Sequence, residues 1–380
     1  MMFADELSKW PQARIESLIN GATREDVEAA IRRPQRTLSD LAALLSPQAA
    51  AYLEPMAAQA QRITRQYFGR TIALYAPIYI SNVCAANCAY CNFSARSGAG
   101  QKRLTLTADE LRRECQYLRS QGFDNILLVS GEAPKIVTID YMATAVRIAH
   151  EYFSSVSAEV YSMESDDYRC LHEAGLEGVT LYMETYDESQ YARVHSAGIK
   201  RDYQGRLAAM DRAGVAGLRK LNIGVLLGLF DWRIDGFWTA LHAAYLQKAY
   251  WRSAVAVSFP RLRHVPSAFA IPHPVTDSHL VQLILALRLF LPMAGFTLST
   301  RESAELRNHL FPLGITQMSA GSSTRPGGYA EPAAAQALEQ FEIEDDRSPH
   351  QMAQVIRQAG YDPVWKDFDR AFIESAVSRW

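Results

Sequence analysis

The chain has 380 residues, 48% of them apolar, and a formal charge of −2 from 39 basic and 41 acidic side chains. That balance excludes the basic footprint of a nucleic-acid binder or of a protein that sits on anionic membrane. No apolar run reaches the roughly 18 residues of a spanning helix, and the mixed-charge start "MMFADELSKWPQARIESLIN" lacks the apolar core of a signal peptide, so a cytoplasmic protein is expected.

Residues 1–70 read as a helical extension. "TREDVEAAIRRP" opens on the capping residue Thr23, with Glu28 following, and stops at Pro34; the Ala/Leu-rich segment after Thr37 ends at Gly69. From residue 71 short β-branched or apolar runs alternate with longer amphipathic ones. The short runs fall at 71–81, 125–130, 156–163, 178–184, 221–228, 254–259, 296–300 and 315–320. Eight strands separated by helical candidates predict a parallel (β/α)8 TIM barrel over 71–320, the usual length of about 250 residues. The short gap 301–314 predicts a short seventh helix. An open parallel sheet is the alternative, but no G-x-G-x-x-G follows the first strand. A C-terminal extension, 321–380, is expected to pack on the barrel as a turn-rich link, one helix and an apolar strap.

Three of the five cysteines, Cys84, Cys88 and Cys91, form C-x3-C-x2-C directly after the first predicted strand. An odd total with such clustering points away from disulfides and toward metal or redox chemistry. In a barrel this loop opens on the face that carries active sites. Three thiolates can hold three irons of a [4Fe–4S] cube and leave the fourth without a protein ligand, open to a small molecule, whereas electron-transfer clusters usually take four cysteines. Zinc would need a fourth ligand, and none is near in sequence. Cys115 and Cys170 fall on predicted helices and read as packing residues.

The spacing, with aromatic Tyr90 before the last cysteine, resembles the signature of radical S-adenosylmethionine (SAM) enzymes. The resemblance implies that SAM chelates the open iron and is cleaved by one electron from the cluster to a 5′-deoxyadenosyl radical. Ser130-Gly131-Glu132 after the second strand resembles the element that receives the SAM ammonium, with Ser in place of the first Gly. Glu159 and Glu184, at the third and fourth strands, are candidate SAM contacts, as is Arg193 with His195 after the fourth; structural ion pairs are the ordinary alternative. Tyr90 is a candidate for packing the adenine, beside the fifth-strand "NIGVLLGL". Three later strand ends, "SFPRLRH", "LSTRES" and "QMSAGSS", carry arginines or hydroxyls, which suit a carboxylate ligand.

"ALLSPQAAAYLEPMAAQAQRITRQYFG", "LYAPIYISNVCAANCAYCNFS", "YMETYDESQYARVHSAG", "LSTRES", "PGGYA" and "PVWKDFD" run in order across nearly the whole chain. Together they are similar to the tyrosine lyases of bacterial thiazole biosynthesis, the 2-iminoacetate synthases, whose relatives include tryptophan lyases and a hydrogenase-maturation tyrosine lyase. The resemblance implies hydrogen abstraction from the amino nitrogen of L-tyrosine and cleavage of Cα–Cβ to p-cresol and 2-iminoacetate (dehydroglycine) for thiamine biosynthesis. It further implies hand-over to the thiazole synthase and a flavodoxin-type electron donor. Matching the motifs places the substrate carboxylate on Arg301 and Ser319, while Tyr79 and Tyr161 are candidates for the substrate pocket. No cysteine follows Cys170, which disfavours the second cluster of the maturation lyase. The chain departs from the family pattern at Asn92 (usually Gly), Asp187 (His expected) and Tyr161. The alternatives are a lyase or rearrangement enzyme for tryptophan or another aromatic amino acid, and a non-catalytic iron–sulfur or zinc protein.

Overall fold

The computed structural model describes residues 2–95, 102–263, 269–330 and 336–366. Among the described residues there are nine parallel strands: β1 (Thr71–Ser81), β2 (Asn125–Ser130), β3 (Ser155–Glu159), β4 (Gly178–Thr180), β5 (Lys220–Gly224), β6 (Ala254–Ser258), β7 (Gly295–Leu298), β8 (Gln317–Ser319) and β9 (Asp362–Val364). β1 to β8 pair in sequence order. β1 closes the ring, with Ala76 to Ser81 against β2 and Ala73 to Tyr75 against β8. β9 pairs in parallel with the start of β1, Thr71 to Ala73, as a ninth strand beside the ring.

Period-two alternation sets what β1 offers to each side. Ile72, Leu74, Ala76, Ile78 and Ile80 are fully buried in the main core beneath the outer helices. Tyr75 and Tyr79 instead cluster with Phe93, Leu127 and Val129. Both faces of a parallel strand are covered, so the run reads as almost uninterrupted apolar sequence.

The helices begin where capping chemistry puts them. Thr23, Thr107, Thr138, Thr276 and Ser303 each accept a hydrogen bond from a first-turn amide, satisfying donors that have no partner within the helix. Helix Arg24–Arg32 stops because Arg33, before Pro34, is extended. The N-terminal helices lie against the barrel's outer helices. Gln282 donates to the carbonyls of Leu44 and Ser46 at 3.0 and 2.8 Å, and Phe3 stacks on His242 at 3.8 Å.

Several boundaries differ from expectation. The third, fourth and fifth strands end at Glu159, Thr180 and Gly224, short of 163, 184 and 228. Beyond these ends the regular ladder gives way to isolated pairings, Glu184 with Val225 and Leu227 with Arg261, within the strand-end loops. The seventh helix, Ala304–Gly314, is a full 11 residues. After β8 the described part of the tail runs irregularly through 336–347 before helix Pro349–Gln358. Among the described residues no helix is long and apolar enough to cross a membrane.

Candidate active site

The cysteine loop is held by side chains that satisfy its backbone. Arg103 donates to the carbonyls of Asn82 (2.6 Å), Phe93 and Ser94 (both 2.9 Å), and the Asn82 amide bridges the Lys102 and Leu338 carbonyls. Cys88 forms an antiparallel bridge with His195, tying the loop to the segment after β4. Gly198, at φ +79°, lets that segment approach: a Cβ there would lie 2.8 Å from the Ala86 Cα. Asn92 has no positive φ, since Glu184 is the one non-glycine in that region among the described residues. The turn therefore does not need the glycine that is usual at position 92.

Cys84, Cys88 and Cys91 line one cavity of about 520 Å³ together with Ser130, Gly131 and Glu132. Gly131 cannot be replaced without movement, because an added Cβ would lie 2.3 Å from the Val83 carbonyl oxygen. Glu132 Oε1 accepts from Arg206 at 2.8 Å, whereas Oε2 is buried and has no hydrogen-bond partner among the described residues. Burial pushes the Cys91 thiol up to about 11 and raises Cys84 and Cys88 as well. Such thiols ionise when a metal takes the sulfur.

Glu184 also lines this cavity, on a backbone at φ +67°. A non-glycine there costs on the order of 1–3 kcal/mol, and such strain gathers at functional sites. Two cations face the two carboxylates. Lys200 lies 2.6 Å from Glu184 and 3.7 Å from Glu132, and Arg206 lies 2.8 Å from Glu132 and 3.5 Å from Glu184. Burial acts to raise the Glu184 carboxyl, but Lys200 and Arg206 outweigh it and hold it below the usual range. Behind this quartet, burial and Lys200 push His195 down to about 3. The ring is neutral; its Nδ1 faces the Tyr191 carbonyl at 2.8 Å and therefore carries the proton, leaving Nε2 to accept from the Tyr90 hydroxyl at 2.8 Å.

A second cavity, about 560 Å³, lies inside the barrel mouth and is lined by Tyr75, Tyr79, Arg301, Ser319 and Phe341 among others. Glu159 and Tyr182 line both cavities. Burial pushes the Glu159 carboxyl up to about 7, against Arg301 and a hydrogen bond from Tyr182. Among the described residues the Arg301 guanidinium donates no hydrogen bond to protein; it lies 3.5 Å over the Phe341 ring.

The structure thus brings together Cys84, Cys88, Cys91, Ser130, Gly131, Glu132, Glu159 and Glu184 around the two cavities, with Tyr79, Arg301 and Ser319 in the second. Three expected residues are elsewhere. The chain leaves the β3 ladder after Glu159, so alternation no longer aims Tyr161 inward; its hydroxyl donates to the Val137 carbonyl at 2.6 Å within the core. Arg193 is exposed on helix Glu188–Val194 and donates one turn back to Ser189. Tyr90 lines neither cavity and packs on the patch of Val194, Leu226, Leu229 and Leu262. The arginines of "SFPRLR" are likewise not free for a ligand: Arg261 binds Glu302 and Asp277, and Arg263 binds Glu302 and Glu344. His264 of that motif, and the end of "PVWKDFD", lie outside the described residues. Asp187 has a structural role, capping its helix by accepting from the Gln190 amide at 2.6 Å.

Lys200, Arg206, Tyr182, Gln340 and Phe341 were not anticipated. Arg193, Lys200, Arg201 and Arg206 all follow the fourth strand, and only the turn of the loop selects two of them for the cavity. Gln340 and Phe341 belong to the tail, which carries no motif at that point.

Comparison with known proteins agrees with this geometry. Residues 78–237 match the family model of the radical SAM superfamily, and residues 258–362 that of the biotin and thiamin synthesis associated domain. The 2-iminoacetate synthase of Escherichia coli K12 is 44% identical over 361 residues, 95% of this chain and 94% of the relative. That of Salmonella typhimurium LT2 is 43% identical over the same shares. The chain belongs to the 2-iminoacetate synthase family. Among solved structures, the [FeFe]-hydrogenase maturase HydG superposes with a TM-score of 0.86 at 31% identity, covering 93% of this chain and 80% of that one. HydG from Carboxydothermus hydrogenoformans gives 0.81 at 28% identity, covering 95% and 81%.

Radical SAM enzymes of this family use a [4Fe–4S] cluster and SAM. The residues present fit both groups. Three cysteines share one cavity wall, Glu132 lines the same cavity and has a buried carboxylate oxygen with no hydrogen-bond partner among the described residues, and Gly131 lets the strand end pack directly against the backbone of the cysteine loop at Val83.

Proposed function

We propose that the protein cleaves the Cα–Cβ bond of L-tyrosine, releasing p-cresol and 2-iminoacetate for thiazole formation. The observation that carries this reading is Arg301: a guanidinium with no hydrogen bond to protein among the described residues, in a cavity that meets the cysteine-lined one at Glu159 and Tyr182. Cys84, Cys88 and Cys91 would hold the cluster, and Ser130, Gly131 and Glu132 the SAM ammonium. Bound there, cluster and SAM supply one-electron chemistry that abstracts a hydrogen atom.

The chain's own residues supply positioning, which decides which hydrogen is taken. Arg301 offers a planar fork to the substrate carboxylate, and the Ser319 hydroxyl lines the same cavity. Glu159, near neutrality and at the boundary of both cavities, accepts an N–H from the substrate amine and turns that nitrogen toward the cluster side. Tyr79, Leu127, Val129 and Phe259 present an apolar wall to the aromatic side chain. The electron comes from a flavodoxin-type donor, and the unstable imine passes to the thiazole synthase.

The test is anaerobic reconstitution with iron and sulfide, followed by SAM, dithionite and tyrosine. 5′-Deoxyadenosine and p-cresol are expected. Deoxyadenosine with turnover of tryptophan and none of tyrosine would overturn the substrate; no deoxyadenosine at all would overturn the radical chemistry.

A further inference from the structure

The segment 338–345 crosses the barrel mouth as a strap fixed at both ends. The Gln340 amide donates to the Thr324 carbonyl at 3.0 Å, and the Thr324 hydroxyl donates to the Phe341 carbonyl at 2.8 Å. The Glu344 and Asp345 amides both donate to the Thr300 carbonyl, next to Arg301, and the Asp345 side chain forms a buried ion pair with Arg307. Two consecutive residues thereby serve two cavities: Gln340 lines the cysteine side, and Phe341 the Arg301 side.

We propose that Phe341 is a positioning residue that sets the protein's affinity for an α-amino-acid carboxylate by holding the Arg301 guanidinium on its ring. The proposal rests on the reading of Arg301 as the carboxylate anchor. Its ground is the geometry of the pair. The guanidinium carbon is 3.5 Å from the Phe341 centroid, and no hydrogen bond to the described protein fixes it otherwise. A cation stacked on an aromatic face is attracted by the ring quadrupole. Stacking occupies only the face of the planar group, and the five N–H donors radiate in its plane. The ring therefore orients Arg301 without consuming the donors that a carboxylate needs. An aliphatic side chain would fill the space but supply no quadrupole, so the free protein would sample guanidinium orientations that cannot make the two-pronged contact.

The decisive measurement is equilibrium binding to the reconstituted full chain with SAM present and no reductant, using tyrosine and tyramine, which lacks the carboxylate. Phe341→Leu is expected to weaken tyrosine binding about five- to thirtyfold, the range of a partly desolvated cation–π contact, and to leave tyramine binding within twofold. Phe341→Tyr, which keeps the aromatic face, is expected to retain wild-type tyrosine affinity. In turnover, Phe341→Leu should raise KM for tyrosine with kcat changed less than threefold. Equal loss of tyrosine and tyramine binding would make Phe341 a contact for the substrate ring and overturn the proposal; so would unchanged tyrosine affinity. Arg301→Ala separates the two readings: if it binds tyrosine normally, the carboxylate anchor itself is wrong, whereas if it loses tyrosine while Phe341→Leu does not, only the role of Phe341 fails. Phe341→Met, close in volume, replaces the leucine variant should that one lose its fold.

Discussion

Replacing Glu159 by glutamine should change stability in a pH-dependent way. Burial pushes this carboxyl from 4.5 to about 7. Between those values the native protein keeps a proton that the unfolded chain has released, so the native state binds more protons and stability falls as pH rises. Below 4.5 both states are protonated and no penalty exists; above 7 the penalty is complete. The gap of about 2.5 pH units corresponds to about 3 kcal/mol at most. Glutamine has the same shape and no charge. Urea unfolding of wild type and Glu159→Gln, both as reduced apo-protein, at pH 5 and pH 8.5 should show the variant gaining up to about 3 kcal/mol on wild type at the higher pH. A difference independent of pH would refute the raised ionisation. A variant less stable than wild type by the same amount at both pH values would mean that Glu159 is ionised in the native state across this window and held by Arg301. The same variant should turn over tyrosine more slowly, because the acceptor for the amine is weakened.

Cys88→Ala is expected to abolish the visible absorbance of the reconstituted cluster; a full iron complement would remove Cys88 from the ligand set. Gly131→Ala should cost about 1–3 kcal/mol of stability, since the methyl would lie 2.3 Å from the Val83 oxygen, and by displacing the cysteine loop should weaken SAM binding in calorimetry; an unperturbed variant would show that the Gly131–Val83 approach is not needed. Arg206→Met leaves Glu132 and Glu184 to Lys200 alone and should destabilise by about 3–5 kcal/mol, as breaking a buried pair does, with Arg206→Met/Glu132→Gln recovering much of the loss. No recovery in the double variant would show that Arg206 acts through packing.

The barrel was legible because each strand is covered on both faces and reads as a short apolar run between capped helices. β1 and β2 were read to the residue, 71–81 and 125–130. β3 to β5 were read too long, because strand-end loops that line a site are as apolar as the strands they continue. Leu181, Met183 and Val225 are buried like strand residues although they take part only in isolated pairings beyond the regular ladder. The cysteine loop was legible because its chemistry is local: three thiols, an aromatic residue and a strand end within one short segment.

What the sequence determined, then, is what depends on near neighbours or on a strict period: the barrel, the cysteine triad and the Ser130–Glu132 turn. Tertiary structure alone decided which of the many charged side chains meet. Arg261 and Arg263 go to Glu302, Lys200 and Arg206 to Glu132 and Glu184, and Arg301 to the face of a phenylalanine 40 positions away. The physical reason is that a buried charge is stabilised by whatever opposite charge or dipole the fold sets within a few ångströms. Separation along the chain carries no information about that distance once the chain has closed into a barrel.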